Sequence, residues 1–135
     1  MYPMKHLPLL IAALCLTACG SGNKEIEEVA YNYCVTTSNY QMDEAEQYAT
    51  PETIKETFSM ARFFISQIDP AYIAADTPAT ITIKKVHQTS DTTAYAVYHK
   101  VTPQKNFTDT LQLRRRDSRW LVHILPQKHP RRPRR

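Results

Sequence analysis

Ala79-Thr80-Ile81-Thr82-Ile83-Lys84-Lys85-Val86-His87-Gln88 is where the chain changes period. Before it, apolar residues recur every three or four positions. From here they alternate, with Ile81 and Ile83 on one face and Thr80 and Thr82 on the other, which is the pattern of a half-buried strand. The alternation continues to the end of the folded sequence. Thr92 to Val101 reads as a second strand, with Tyr95, Val97, His99 and Val101 on one face. Pro103-Gln104-Lys105-Asn106 turns the chain into a third, Phe107 to Arg115, aligning Phe107, Leu111 and Leu113. Asp117-Ser118 is a tight turn into a fourth, Arg119 to Leu125. There the parity is open: Trp120, Val122 and Ile124 oppose Leu121, His123 and Leu125. Short turns between consecutive strands predict an antiparallel meander.

The preceding residues read as helices. Ile26, Val29, Ala30, Tyr33, Cys34 and Thr37 form one stripe, so residues 24–39 are expected to be a helix, with Asn23 as its cap and Glu25, Glu27 and Glu28 near its positive end. Asn39-Tyr40-Gln41 breaks it. Met42 to Ala49 is a short second helix. Thr50-Pro51-Glu52 starts a third: threonine caps, proline fits the first turn and glutamate suits its dipole. It is expected to run to about Ile68 and to bury Ile54, Phe58, Ala61, Ile65 and Ile68, with Phe64 beside them, before Asp69-Pro70 ends it. Residues 70–78 are a connector with a helical turn around Tyr72-Ile73. Helices followed by strands make an α+β domain, with N-terminal helices packed on a curved four-stranded antiparallel sheet.

This order of elements resembles the nuclear-transport-factor-2-like superfamily, whose cystatin-like cone closes N-terminal helices over a curved sheet. The likeness runs from Glu25 to Ile124. It is carried by the amphipathic first helix, by Glu44-Ala45-Glu46-Gln47-Tyr48-Ala49-Thr50-Pro51-Glu52 and by Arg119-Trp120-Leu121-Val122. The stretch also resembles small lipoproteins of that superfamily. The superfamily spans ketosteroid-isomerase-like enzymes, dehydratases and non-catalytic modules, so the resemblance implies a fold and leaves the function open.

The N-terminus supplies an address. Lys5 and His6 precede the apolar run 7–16, and Leu16-Thr17-Ala18-Cys19 follows. This is secretory-signal architecture, too short to span a bilayer. It resembles the bacterial lipobox, which implies cleavage before Cys19 and acylation of its thiol. The expected organisation is a signal peptide at 1–18, a tether at 19–23, the cone domain at 24–126 and a basic disordered tail at 127–135. Gly20 and Ser21 carry no acidic retention signal, so the expected location is the cell envelope, lipid-anchored at the outer membrane. With Cys15 removed and Cys19 acylated, Cys34 has no partner for an internal disulfide, and it lies in an apolar stripe.

Composition excludes several chemistries. The only glycines, Gly20 and Gly22, precede the domain, so phosphate-cradling loops and dinucleotide fingerprints are absent. No zinc-protease, paired-cysteine, nucleophile-elbow or calcium-loop motif occurs. No cofactor and no resident metal is expected. Net charge is +4, but unevenly placed: residues 24–76 hold ten carboxylates against three cations, and residues 77–135 hold three against thirteen. Arg114, Arg115, Arg116 and Arg119, with Lys128, Arg131, Arg132, Arg134 and Arg135 in the tail, are candidate contacts for anionic lipid or lipopolysaccharide. Export argues against nucleic acid as a physiological partner.

Odd-numbered positions on the strands carry His87, His99 and Asp109, and His123 joins them if its face turns inward. A curved sheet bringing them together would support acid–base chemistry or hold zinc. Singly, each is an ordinary strand residue. Asp109 is the one carboxylate in the middle of a strand, which departs from the paired acids that the ketosteroid-isomerase resemblance would require. Tyr33, Phe58, Phe64, Tyr95, Val97, Phe107 and Leu111 are expected to line a pocket or to fill the core. The leading expectation is a tethered, non-enzymatic domain binding a small apolar ligand, a glycan or an envelope protein. The alternatives are a small enzyme using His and Asp on a hydrophobic or carbonyl substrate, and a structural component of an envelope assembly.

Overall fold

The computed structural model describes residues 21–127. Cys19 and the basic positions Lys128, Arg131, Arg132, Arg134 and Arg135 lie outside them. Helix α1 (Ser21–Ser38) is followed by α2 (Met42–Ala45), which tightens into a 3-10 turn over Glu46–Tyr48. A π-helical turn (Thr53–Phe58) leads into α3 (Ser59–Gln67), and α4 (Pro70–Ala75) completes the helical half. Four strands follow: β1 (Thr80–Gln88), β2 (Thr93–Val101), β3 (Asn106–Arg116) and β4 (Arg119–Val122). They form one antiparallel sheet in chain order. The α+β class and its helix-on-sheet arrangement follow the pattern in the sequence.

Helix α1 includes Asn23, which is therefore inside the helix and not its cap. Ile26, Ala30, Tyr33 and Cys34 are buried along its inner stripe. They meet Ala94 and Ala96 of β2 and Leu111 and Leu113 of β3 within one core cluster. The two alanines let the helix approach the sheet closely. Trp120 and Val122 of β4 close the core on the far side. The break after α1 is taken by Tyr40 at φ 63°, and the Asp117-Ser118 hairpin uses two further left-handed residues, φ 50° and 64°, as a two-residue turn requires.

The third helix departs from expectation. Phe58 is 1% exposed, but Ile54, Ala61 and Ile65 are half-buried and Phe64 is 56% exposed. The π turn is the reason. Its wider i→i+5 spacing inserts an extra residue into the repeat and rotates every later side chain relative to the core. Phe63 and Phe64 therefore stack edge to face in solvent at 5.8 Å between ring centres. The connector is more ordered than expected, because Asp69 caps α4 by accepting the Ala71 N–H at 2.8 Å and Pro70 occupies its first turn.

Asp76 ties this connector to the sheet. Its carboxylate is fully covered and accepts from Thr102 Oγ1 at 2.7 Å, Tyr40 Oη at 2.8 Å and Lys105 Nζ at 3.1 Å. Burial pushes its pKa up, but the three donors together outweigh burial and leave it below the ordinary carboxylate value.

Candidate functional site

The sheet register decides which side chains meet. Tyr98 pairs with Asp109, Lys100 with Phe107, and Ala96 with Leu111. Even positions of β2 and odd positions of β3 thus share the face beneath α1. His99 pairs with Thr108 and lies on the opposite face, where its Nε2 is 2.7 Å from Asn106 Oδ1. On β1 the register slips between Ile83 and Lys85, a bulge that interrupts the alternation. Ile81 and Ile83 face α1, but beyond the bulge Val86 takes the inner side and His87 pairs with outward Tyr95. His87 and His99 are therefore separated from Asp109 by the thickness of the sheet.

The aromatic and aliphatic candidates divide in the same way. Tyr33, Phe58 and Leu111 are in the core, with the Tyr33 and Phe58 rings 6.1 Å apart. Phe107 is on the inner face but 39% exposed, its ring against Tyr98 at 6.3 Å and below Lys100 Nζ at 5.8 Å. Tyr95 and Val97 alternate onto the outer face, and Phe64 points to solvent on α3.

The even positions of β4, Trp120 and Val122, face the core, and His123 is buried instead beside Thr50 at the sheet edge. It follows β4, is 8% exposed, and its Nδ1 shares a hydrogen bond with Thr50 Oγ1 at 2.9 Å. Thr50 Oγ1 also accepts the Thr53 N–H at 3.3 Å. Thr53 Oγ1 in turn accepts the Ile124 N–H at 3.0 Å and donates to the Val122 carbonyl at 3.3 Å. Thr57 Oγ1 donates to the Ile124 carbonyl. Three threonines of the helix thus clamp the segment that carries His123. Burial, then the positive charges of Arg114 and Arg116, hold the imidazole pKa below its ordinary value, so it is neutral at pH 7.

Between β2, β3 and this clamped segment lies an open cleft of about 370 Å³. Tyr98, Leu111, Ile124 and Leu125 supply its apolar surface, and Asp109, Thr110, Gln112, His123 and Gln127 make the larger, polar part. Asp109 Oδ1 accepts the Thr110 N–H at 2.8 Å, and His123 is engaged by Thr50. Each is oriented by a neighbour, and no hydrogen bond joins the two. Burial, then the nearby Cys34 and Asp109, push the Tyr98 phenol up to about 12, so it is a hydrogen-bond donor at neutral pH. Burial also pushes the Cys34 thiol up to about 12, which removes it as a nucleophile. Among the described residues no three His, Cys, Asp or Glu side chains gather as metal ligands.

Tyr98, Gln112, Ile124 and Leu125 escaped the sequence reading as cleft residues. The signal for Tyr98 was present in the length of the turn before β3: four residues between Val101 and Asn106 bring partners of opposite parity together. The basic candidates at the β3–β4 hairpin are also sorted by the structure. Arg116 Nη1 binds Glu52 at 2.8 and 3.1 Å, and Arg119 donates to the Gln47 carbonyl at 3.3 Å. Arg114 and Arg115 are exposed.

No protein-family model matches the chain, and no curated protein matches it. Two solved structures are similar to it. One, a candidate NTF2-like transpeptidase from Campylobacter jejuni, is 16% identical, with 73% of this chain and 96% of that one covered at a TM-score of 0.49. The other, an NTF-2-like protein of unknown function from Shewanella oneidensis, is 15% identical, with 74% and 95% covered at a TM-score of 0.52. Together with the helix-on-sheet arrangement, the second likeness shows that this chain has the NTF2-like fold.

Proposed function

We propose that this is an envelope domain, tethered at the outer membrane by acyl chains on Cys19, that binds a small amphipathic ligand without transforming it. The cleft between β2–β3 and the His123 segment carries this reading. It sets Leu111, Ile124 and Leu125 beside Asp109, Thr110, Gln112, His123 and Gln127, a lining suited to a small amphipathic molecule. Two of the groups that would do chemistry, Asp109 and His123, are each held by a structural neighbour. The tether rests on the Leu16-Thr17-Ala18-Cys19 signal, and no described helix is long and apolar enough to cross a membrane.

The test uses an apolar fluorescent probe, anilinonaphthalene sulfonate, titrated into the folded protein. Saturable binding at one site, weakened about tenfold or more by Leu125→Arg, is the expected result. Binding unaffected by that change sinks the assignment to this cleft. A second reading, acid–base catalysis, is favoured by the presence of a carboxylate, a neutral imidazole and a phenol in the same cleft. It requires deuterium exchange at the acidic carbon of a bound ketone that Asp109→Asn abolishes.

A further inference from the structure

The outer face of the sheet has no carboxylate. Its alternating positions are Lys85 and His87 on β1; Thr93, Tyr95, Val97, His99 and Val101 on β2; Thr108, Thr110, Gln112, Arg114 and Arg116 on β3; and Arg119 and Leu121 on β4. Asp109 is on the other side. The acidic residues of the chain are concentrated in the helical half, so the sequence's charge asymmetry becomes a physical polarity of the domain. The exposed cations are spread over this face: Lys85 sits at mid-sheet opposite Val97, and Arg114 and Arg119 lie toward the β3–β4 hairpin, where Arg116 is neutralised by Glu52. Asp91 and Asp117 sit in the two turns at that hairpin end.

The same end is where α1 begins. Asn23 and Glu27 share a groove with Lys84, Lys85 and Val86, and Glu25 Oε1 accepts the Trp120 N–H at 3.4 Å. Ser21, the first described helical residue, is two residues after Cys19, a reach of at most about 8 Å. A chain acylated at Cys19 therefore brings this end of the sheet to the bilayer surface with almost no slack.

We infer that the carboxylate-free sheet face around Lys85, Arg114 and Arg119 docks on anionic lipid headgroups and sets the orientation of the anchored domain. The inference rests on the acylation of Cys19 proposed above, but the surface is testable without it. The protein is the chain from residue 19 with Cys19→Ser, and the probe is vesicles of phosphatidylcholine with a third phosphatidylglycerol, in low salt. Each cation beside an anionic surface is worth about fivefold in affinity, so Lys85→Gln/Arg114→Gln/Arg119→Gln is expected to weaken binding about 100-fold. High salt should abolish binding in the parent. The charge-keeping set Lys85→Arg/Arg114→Lys/Arg119→Lys should retain it, which separates loss of charge from loss of fold. Neutralising Arg131, Arg132, Arg134 and Arg135 should cost less than the sheet variant. If the tail variant abolishes binding while the sheet variant binds as the parent does, the inference is overturned. It is equally overturned if the parent prefers a single-stranded oligonucleotide to the vesicles. Mass analysis of the N-terminal peptide from membranes reads acylation separately, so failure of the anchor and failure of the surface are distinguishable.

Discussion

Asp76 is the residue whose removal tests the architecture most directly. Asp76→Ala deletes a fully covered carboxylate and strands three donors: Thr102 Oγ1, Tyr40 Oη and Lys105 Nζ. Thr102 is also the hub of its turn, accepting the Gln104 and Lys105 N–H groups at 3.1 and 2.9 Å. Breaking a buried ion pair by removing one partner costs about 3–5 kcal/mol. Lys105 is 39% exposed and rehydrates when released, which places the expectation at the lower end, about 3 kcal/mol. For a domain of this size that is about 15 °C in thermal midpoint.

The pH dependence gives a second reading of the same interaction. The folded pKa of Asp76 is depressed relative to the unfolded chain. Its contribution is therefore fully present above the unfolded value, about 3.9, and is lost as pH falls through the lower folded value. Urea unfolding of parent and variant, measured from pH 7 downward, should show a constant gap above about pH 5 that narrows below about pH 4. A gap under about 1 kcal/mol at neutral pH would refute the clamp, since three stranded donors cost more than that. A gap that does not narrow in acid would refute the role of the ionised carboxylate.

Other expectations concern the core and the cleft. Phe58→Ala should cost about 3–5 kcal/mol in urea unfolding, because the ring is buried against Tyr33 and the π turn cannot collapse into the void. Phe64→Ser, at a 56% exposed site, should change stability by less than about 0.5 kcal/mol, and a core-sized loss would restore the helix stripe read from the sequence. Cys34, with its thiol pushed up to about 12, should resist iodoacetamide in the native protein and react on unfolding; rapid native labelling would contradict its burial. Thr53→Val should destabilise by about 1–2 kcal/mol, since it leaves the Ile124 N–H without its acceptor.

The sequence carried element type and order well, because both are local properties. Period 3.6 and period 2 are written in consecutive residues, and the α+β architecture follows from their order. What it did not carry at first reading was the relation between strands. His87, His99 and Asp109 share odd numbers, but facing depends on turn length and bulges as well as on number. The four-residue turn between Val101 and Asn106 pairs odd with even, so His99 and Asp109 part. The bulge between Ile83 and Lys85 then reverses β1 midway, so Val86 faces in and His87 out. The turn was countable in advance. The bulge was not, since Lys84-Lys85 reads equally well as two solvated edge residues.

The cleft and the basic face are entangled in the linear sequence for the same reason. A one-residue slip exchanges the two faces of a strand, so a sequence that places Asp109 among histidines and arginines describes two different surfaces at once. With the register known, Asp109 and Tyr98 fall on the face that carries α1, while Lys85, Arg114 and Arg119 fall on the face turned away. Asp109 is thus kept on the α1-bearing face and away from the basic one. If that face meets anionic lipid, moving a carboxylate onto it should be more damaging than removing any one cation. Thr110, opposite Val97 on the outer face, is the position at which to try it. Thr110→Asp is solvent-facing and predicted to leave stability within about 0.5 kcal/mol. In the vesicle assay it should cost more than Lys85→Gln alone, because it adds repulsion at the middle of the patch; equal or smaller loss would mean that the lipid is read elsewhere.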